Sequence, residues 1–553
     1  MIIKFDQSPE DYFRLSRSAY ERGELDRALI YAEKAVRGKG TTEYRLSLAE
    51  IFLSMERFSE AADTLIEAML FGKGRREELY DLMSRATGGM GRFYESLYYI
   101  AKKAHLEGDD AALDAMDEVM QEMISAEEGK PLSPKENFFI VGKEVKDPSS
   151  ELARASFALH QGDAERALSL ASKVSKDSEY YPDAQQICLK AYLLAEKERL
   201  AIEKAEEILS ADPKDAFALY VLVDRFKKKE YLPMLKEAEG DPAELFYAVT
   251  AAESMGEHEI AGILADKLVL ENPYAAEGYF VAAAVALNGG NKARSVDLLK
   301  KLFSLHAKYP AAVILKGWDK LKSVEVSFAG QMPQSVIRIL RAYIRKGAKD
   351  SEAFVHSMLT DGDFRAAVLL LFEENDEEVV GNLVTFFGLE ENKQVDAFFR
   401  KLLLKTSVSP LVKRAILAEL LYRKDKGKIL FVQSAVPVRV SCAKPELFSF
   451  YPEPLKEAYV NILSFVVSLT DRRCEREIAD LADKALELGD LIRKERAENI
   501  GAAFLRLLIE DSLIPSPHPH SQDASLLIMS RIFGVTRISK NKVSALVRAL
   551  KRI

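Results

Sequence analysis

Residues 201–213 read Ala-Ile-Glu-Lys-Ala-Glu-Glu-Ile-Leu-Ser-Ala-Asp-Pro. Ala201, Ala205, Ile208 and Leu209 fall at helical spacing on one face. Asp212-Pro213 then ends the run, because proline cannot continue a helix and drives the residue before it toward extended backbone. The turn that precedes such a helix is written most cleanly as Gly23-Glu24-Leu25-Asp26-Arg27-Ala28 and echoed by Gly162-Asp163-Ala164-Glu165-Arg166-Ala167. Aligning units on the small residue that opens each second helix gives Ala28, Ala61, Ser96, Ala167, Ala201, Leu235, Ala261, Ser295 and Ala367. Successive gaps are 33, 35, 71, 34, 34, 26, 34 and 72 residues, so each of the two long gaps holds one eroded unit. After Leu235 the run from Glu237 to Pro242 cuts a second helix short. A period of this size marks one helical hairpin per unit, stacked on its neighbours.

Each recurring residue has a mechanical reason. Gly23, Gly91, Gly162, Gly256, Gly290 and Gly362 sit where a first helix must end left-handed before the chain reverses. Small residues at i and i+4, such as Ala28 and Ala32 or Ala167 and Ala171, let two helices approach closely. Large residues opposite them, Leu219 and Leu222 or Leu245 and Val249, fill the remaining space. Each hairpin leaves an apolar edge that only the next can cover.

The arrangement of large residue, small residue, glycine turn, alanine, alanine and proline resembles the tetratricopeptide repeat. In the quoted copy, Ala201, Ala205, Ile208 and Pro213 stand at the repeat's second-helix places. The resemblance runs from about residue 10 to 104 and from 149 to 310, weakens to 374 and stops there. The tryptophan that often opens the first helix is missing; Tyr12, Leu219, Leu245 and Tyr279 take its place, and the one tryptophan, Trp318, falls in an eroded unit. The resemblance implies an all-α fold, an α-solenoid of helical hairpins wound as a right-handed superhelix, that binds peptides or partner proteins.

Bulk composition agrees. A chain of 553 residues is too long for one compact core, but a solenoid grows unit by unit. Hydrophobic content of 48% with 30% charge suits amphipathic helices with solvated outer faces. A net charge of −8 gives no general attraction to nucleic acid or anionic membrane. Cys188, Cys442 and Cys474 are odd in number and far apart, which argues against a disulfide framework and for a reducing compartment. The first residues lack a charged-then-apolar signal region, and the longest wholly apolar run, Tyr279 to Leu287, is far short of the ~20 residues needed to cross a bilayer. A cytoplasmic chain with no membrane contact is the expectation.

The expected organisation is an N-terminal repeat block over 1–124, a linker with a short helix over 125–150, and a central repeat block over 151–322. Degenerate helical repeats follow over 323–427, then a β-hairpin over 428–442 and a C-terminal helical domain over 443–553. Ile429 and Phe431, then Val436, Val438 and Val440, alternate as two strands. Val324, Val326 and Phe328 alternate as a third that could join them. Beyond Pro452 long helices are expected at 471–494 and 498–511, with a final one at 540–551.

No catalytic or cofactor-binding constellation is present, so the chain reads as a non-enzyme without cofactor or metal. Gly38-Lys39-Gly40-Thr41-Thr42 lacks the leading glycine of a phosphate loop and follows a helix, so it is a helix cap. His258-Glu259 lacks the second histidine of a zinc protease helix, and His258 is a turn residue. His518, His520 and Asp523 lie among prolines 515, 517 and 519, which read as a stiff connector. The acidic run at 373–378 is a solvated helix start.

The first-helix face is the candidate site. The fifth place of the repeat, which lines the groove, holds Phe13, Tyr220, Phe246 and Phe280, with Lys190 and Asp224 as polar neighbours at the ninth. An aromatic ladder there suits a peptide or helix of a partner protein; the competing reading packs the same rings between adjacent first helices. Phe13, Arg17, Leu46 and Glu50 in the first two units do not supply the lysine and asparagines of a carboxylate clamp. After Asp523 the chain is free of acidic residues and rich in lysine and arginine, so an alternative function is regulatory contact with nucleic acid through that end, against docking on the chain's own acidic body. Nucleic acid is the less expected partner. The identity of the partner and the oligomeric state are not written in the sequence.

Overall fold

A computed structural model describes residues 8–109, 111, 148–160, 162–326, 332–374, 376–423, 429–433, 435–440, 448, 450–469, 474–513 and 539–553. The chain divides into two compact units. One joins Met1–Pro131 to Tyr343–Ile553, and the other is Leu132–Ala342.

Hairpins dominate both. In the first unit α1 (Pro9–Glu21) pairs with α2 (Leu25–Gly38), α3 (Thr42–Ser54) with α4 (Phe58–Phe71), and α5 (Arg76–Gly89) with α6 (Phe93–Glu107). In the second, α7 (Pro148–His160) pairs with α8 (Ala164–Ala171) and α9 (Tyr181–Leu194) with α10 (Glu198–Ala211). The opening alanines are the contact points: Ala28, Ala61, Ala167, Ala201 and Ala261 are all fully buried.

One turn recurs. Gly23, Gly91, Gly162, Gly256 and Gly290 have φ between 69° and 81°. The next N–H reaches back to the carbonyl five residues earlier, as from Glu24 to Ala19, Arg92 to Thr87 and Glu257 to Ala252, each at 2.9 Å. This satisfies carbonyls that a helix end would leave open. Gly362 departs from the expectation. It is the first residue of a helix, Gly362–Glu373, because the preceding Asp361 caps that helix by accepting from the Phe364 N–H at 3.0 Å.

The unit after α10 is irregular. Its first helix, α11 (Ala216–Tyr220), continues as a π turn over Val221–Arg225, and its second helix is replaced by a 3-10 segment, Lys229–Glu237, that contains Pro233. Regular hairpins resume with α12 (Pro242–Ser254) and α13 (His258–Glu271), then α14 (Ala276–Asn288) and α15 (Lys292–Leu305). The eroded unit of the second long gap contains α16 (Ala311–Trp318) and α17 (Gln334–Gly347), with Gly317 directly against Ile339. Trp318 is fully buried and its indole N–H donates to Ser295 Oγ at 2.9 Å. Around the expected third strand, the described residues 322–326 form no strand; the Asn288 side-chain amide holds Val324 through two hydrogen bonds of 2.8 and 2.9 Å.

The first unit continues with α18 (Ser351–Thr360), α19 (Gly362–Glu373), α20 (Glu377–Leu389), α21 (Lys393–Leu402) and α22 (Pro410–Tyr422). Asp376 of the acidic run caps α20 and is buried, not solvated. Strands β1 (Ile429–Gln433) and β2 (Val436–Val440) pair antiparallel, Ile429 opposite Val440 and Gln433 opposite Val436. This hairpin is a joint: α4 and α23 (Glu453–Leu469) both pack on β2. Tyr99 of α6 donates to the Ala435 carbonyl at 2.7 Å, in a buried position. Beside it Asp63 accepts from the Thr406 N–H at 2.7 Å, the Thr406 hydroxyl at 2.8 Å and Lys405 Nζ at 2.9 Å.

The helix expected over 471–494 is broken into α24 (Glu475–Glu487) and α25 (Asp490–Arg493) by Gly489, whose φ of 55° ends the first piece. The unit closes with α26 (Ala497–Glu510) and α27 (Lys540–Leu550).

Candidate partner-binding site

The proposed aromatic places divide once the helices are built. Phe246 and Phe280 are only 6% and 3% exposed, packed within the second unit and not offered to a partner. On α12 the apolar stripe Leu245, Phe246, Ala248 and Val249 turns inward, so Phe246 contributes about 2 kcal/mol of burial instead of a surface. Phe280 meets Tyr309 edge to face at 5.6 Å. Phe13, in the first unit, stacks on Tyr44 at 4.6 Å. Tyr220 is half-buried and stays near the surface.

A compact cluster forms around Tyr220 from three successive first helices. Its ring lies 4.9 Å from Tyr247 at an interplanar angle of 38°, and Tyr247 is 39% exposed. Phe217, buried beneath, meets Tyr247 edge to face at 5.4 Å and Tyr220 at 5.9 Å. Lys190, from α9, places its Nζ 4.9 Å over the Phe217 ring. Asp224, on the π turn, accepts from the Ser254 hydroxyl of α12 at 2.5 Å and from Lys227 Nζ at 3.3 Å. Lys190, Tyr220 and Asp224 therefore share one surface region, while Phe246 and Phe280 are buried in the packing of the unit.

Carboxylates border the rings. Asp215 caps α11 by accepting from the Ala218 N–H at 2.7 Å, and the Gln186 amide donates to its other oxygen. Burial nevertheless holds the Asp215 carboxyl above the usual carboxylate range. Glu244 is also pushed up, by burial first and then by Asp241 and Asp215 nearby. The Tyr220 hydroxyl is raised by burial and by the Asp224 charge.

Sequence counting missed Tyr247 and Phe217. The signal was present: Phe217 and Tyr220 are three apart on one helix face, and Tyr247 follows Phe246 by about 100°, enough to face outward. In the first unit, Leu46 is buried and Arg17 pairs with Glu50 at 2.7 Å, so those first-helix charges answer each other.

The other sequence candidates take structural roles. Gly38 ends α2 and Thr41 caps α3 by accepting from the Tyr44 N–H at 3.2 Å. His258 opens α13, with Nδ1 2.7 Å from Glu253. His518, His520, Asp523 and Cys442 lie outside the described residues; Cys188 and Cys474 are buried and not joined to each other, and the Cys474 thiol donates to the Leu513 carbonyl at 3.7 Å. Of the basic C-terminal end, Lys542 pairs with Glu495 at 3.1 Å and Lys551 with Glu510 at 2.7 Å, both on the same unit. Among the described residues no group of three or more His, Cys, Asp or Glu could hold a metal, and no helix is long and apolar enough to cross a membrane.

No family model and no curated protein matches this chain. Solved structures that align include the Cut9–Hcn1 hetero-tetramer of the APC/C, 12% identical over 98% of this chain and 96% of that chain with a TM-score of 0.23. Yeast Tom70 aligns at 12% identity over 98% and 96%, with a TM-score of 0.20. A monomeric IFIT1 mutant with Gppp-AAAA aligns at 13% over 92% and 90%, with a TM-score of 0.23. TM-scores this low leave the fold resting on the hairpins themselves, whose paired helices, left-handed glycine turns and buried opening alanines make this a tetratricopeptide-like chain.

Proposed function

We propose that this protein is a non-catalytic interaction scaffold whose second unit holds a segment of a partner protein on the first-helix face around Tyr220 and Tyr247. The observation that carries the reading is an aromatic pair, 4.9 Å apart and partly exposed, assembled from separate hairpins and bordered by Lys190 and Asp224. Exposed aromatics on a rigid helical face are the residues that anchor partner segments, because they bury large area at low entropic cost. Repeat hairpins suit this role, since neighbouring units fix the spacing of anchors that a single helix could not hold.

The test is capture from lysate by the intact protein and by the double variant Tyr220→Ala/Tyr247→Ala. We expect the variant to keep its helical circular dichroism and lose its partner. Identical captured sets would overturn the reading. The pairing of Lys542 and Lys551 with glutamates of their own unit favours this function over nucleic-acid contact through the basic end.

A further inference from the structure

The chemistry of the Tyr220–Tyr247 face selects what it holds. We propose that its anchor on the partner is an arginine side chain, seated on the two tyrosine rings with its guanidinium directed to Asp224. This rests on the partner-binding reading above and names the group that such a partner must present.

Three observations carry it. First, the cluster already seats a cation: Lys190 Nζ lies 4.9 Å over Phe217, on the ring system that continues into Tyr220 and Tyr247. Ring faces attract cations through their quadrupole. Second, the Tyr220 and Tyr247 rings lie against each other, 4.9 Å apart and tilted by 38°, with Phe217 edge-on to Tyr247, and their partly exposed outer faces offer a surface on which a planar group can stack. Third, the acceptor is in place. The π turn at Val221–Arg225 carries Asp224 to the next first helix, where the Ser254 hydroxyl fixes it at 2.5 Å. Its present cation, Lys227 at 3.3 Å, is 61% exposed and loosely held, and a forked guanidinium displaces it with better geometry. Asp215 and Glu244 add negative charge on the α11 and α12 side, against Lys190, which acts on both, and Arg225, which is exposed next to Tyr220. An anionic anchor would meet these carboxylates, and a neutral one would leave Asp224 with only the Lys227 pair and the Ser254 hydroxyl it already has.

The experiment uses the full chain labelled with 3-fluorotyrosine, its Tyr220 and Tyr247 resonances assigned with Tyr220→Phe and Tyr247→Phe. The probe is N-acetylarginine methylamide, and its neutral isostere is N-acetylcitrulline methylamide. We expect both resonances to move saturably with the arginine probe, and the citrulline probe to bind at least about fivefold more weakly. Asp224→Asn should weaken the arginine probe by a similar factor while leaving the citrulline probe unchanged. Equal response to the two probes, or none to either, overturns the arginine assignment. If that happens while Tyr220→Ala/Tyr247→Ala still abolishes capture, the partner-binding reading stands without it. If capture is also unaffected, both fall.

Discussion

Glu196 occupies, at φ 55°, the turn position that other hairpins give to glycine at Gly23, Gly91, Gly162, Gly256 and Gly290. Its backbone makes the same closure, the Lys197 N–H reaching the Tyr192 carbonyl at 2.9 Å. The turn is therefore dictated by helix pairing, and Glu196 is held left-handed at a cost of roughly 1–2 kcal/mol. Part of that would be offset by the greater freedom of glycine in the unfolded chain. Glu196→Gly should raise unfolding stability by about 1 kcal/mol, read from urea titration followed by circular dichroism. No gain would mean that the Glu196 side chain compensates for its own backbone. The repeat was legible here because the same physical demand recurs along the chain. Where the glycine is absent, as at Glu196, the turn was still implied by the alanine spacing that follows it.

At the scale of elements, the hairpins could be read from periodicity, and the departures have identifiable causes. Spacing tells which residues share a helix face but not which neighbour covers that face, so Phe246 and Tyr247, adjacent in sequence, have opposite fates. Pro233 denied an α-helix to Lys229–Glu237, and Gly489 split α24 from α25. The β-hairpin was visible as alternating apolar residues, yet its role as a joint was not, because two of the groups it holds, α4 and Tyr99, are more than 300 residues away in sequence. Lys413 of α22 belongs to that joint: it is buried, donates to the Val432 carbonyl of β1 at 2.8 Å, and burial pushes its amine down to about 7. Unfolding restores an ordinary lysine, at about 10.4, so between those values the unfolded chain binds more protons than the folded one. Stability should consequently rise with pH from about 7 to about 10, and Lys413→Met should flatten that rise. Denaturant midpoints at both ends of the range test this; an unchanged slope in the variant would assign the rise to other groups.

At the scale of the whole molecule, the first unit is discontinuous, built from Met1–Pro131 and Tyr343–Ile553 with the second unit between them in sequence. Asp63 is central to the seam, its side chain 13% exposed and its carboxylate shared by Thr406 and Lys405. Asp63→Ala would leave the buried Thr406 N–H and hydroxyl without their charged acceptor, costing about 2 kcal/mol. Because the loss falls on the first unit, its transition should move to lower denaturant while that of the second stays. A common shift of both would mean that the two melt as one.

The seam also orders events during synthesis. Tyr99 cannot meet the Ala435 carbonyl, nor Asp63 meet Thr406, until more than 300 further residues have left the ribosome. Hairpins α1 to α6 must wait with an uncovered flank while the intervening unit is translated and folds. At bacterial-to-eukaryotic elongation speeds that wait lasts on the order of tens of seconds, long enough for a chaperone to find the nascent chain before its own distant half does.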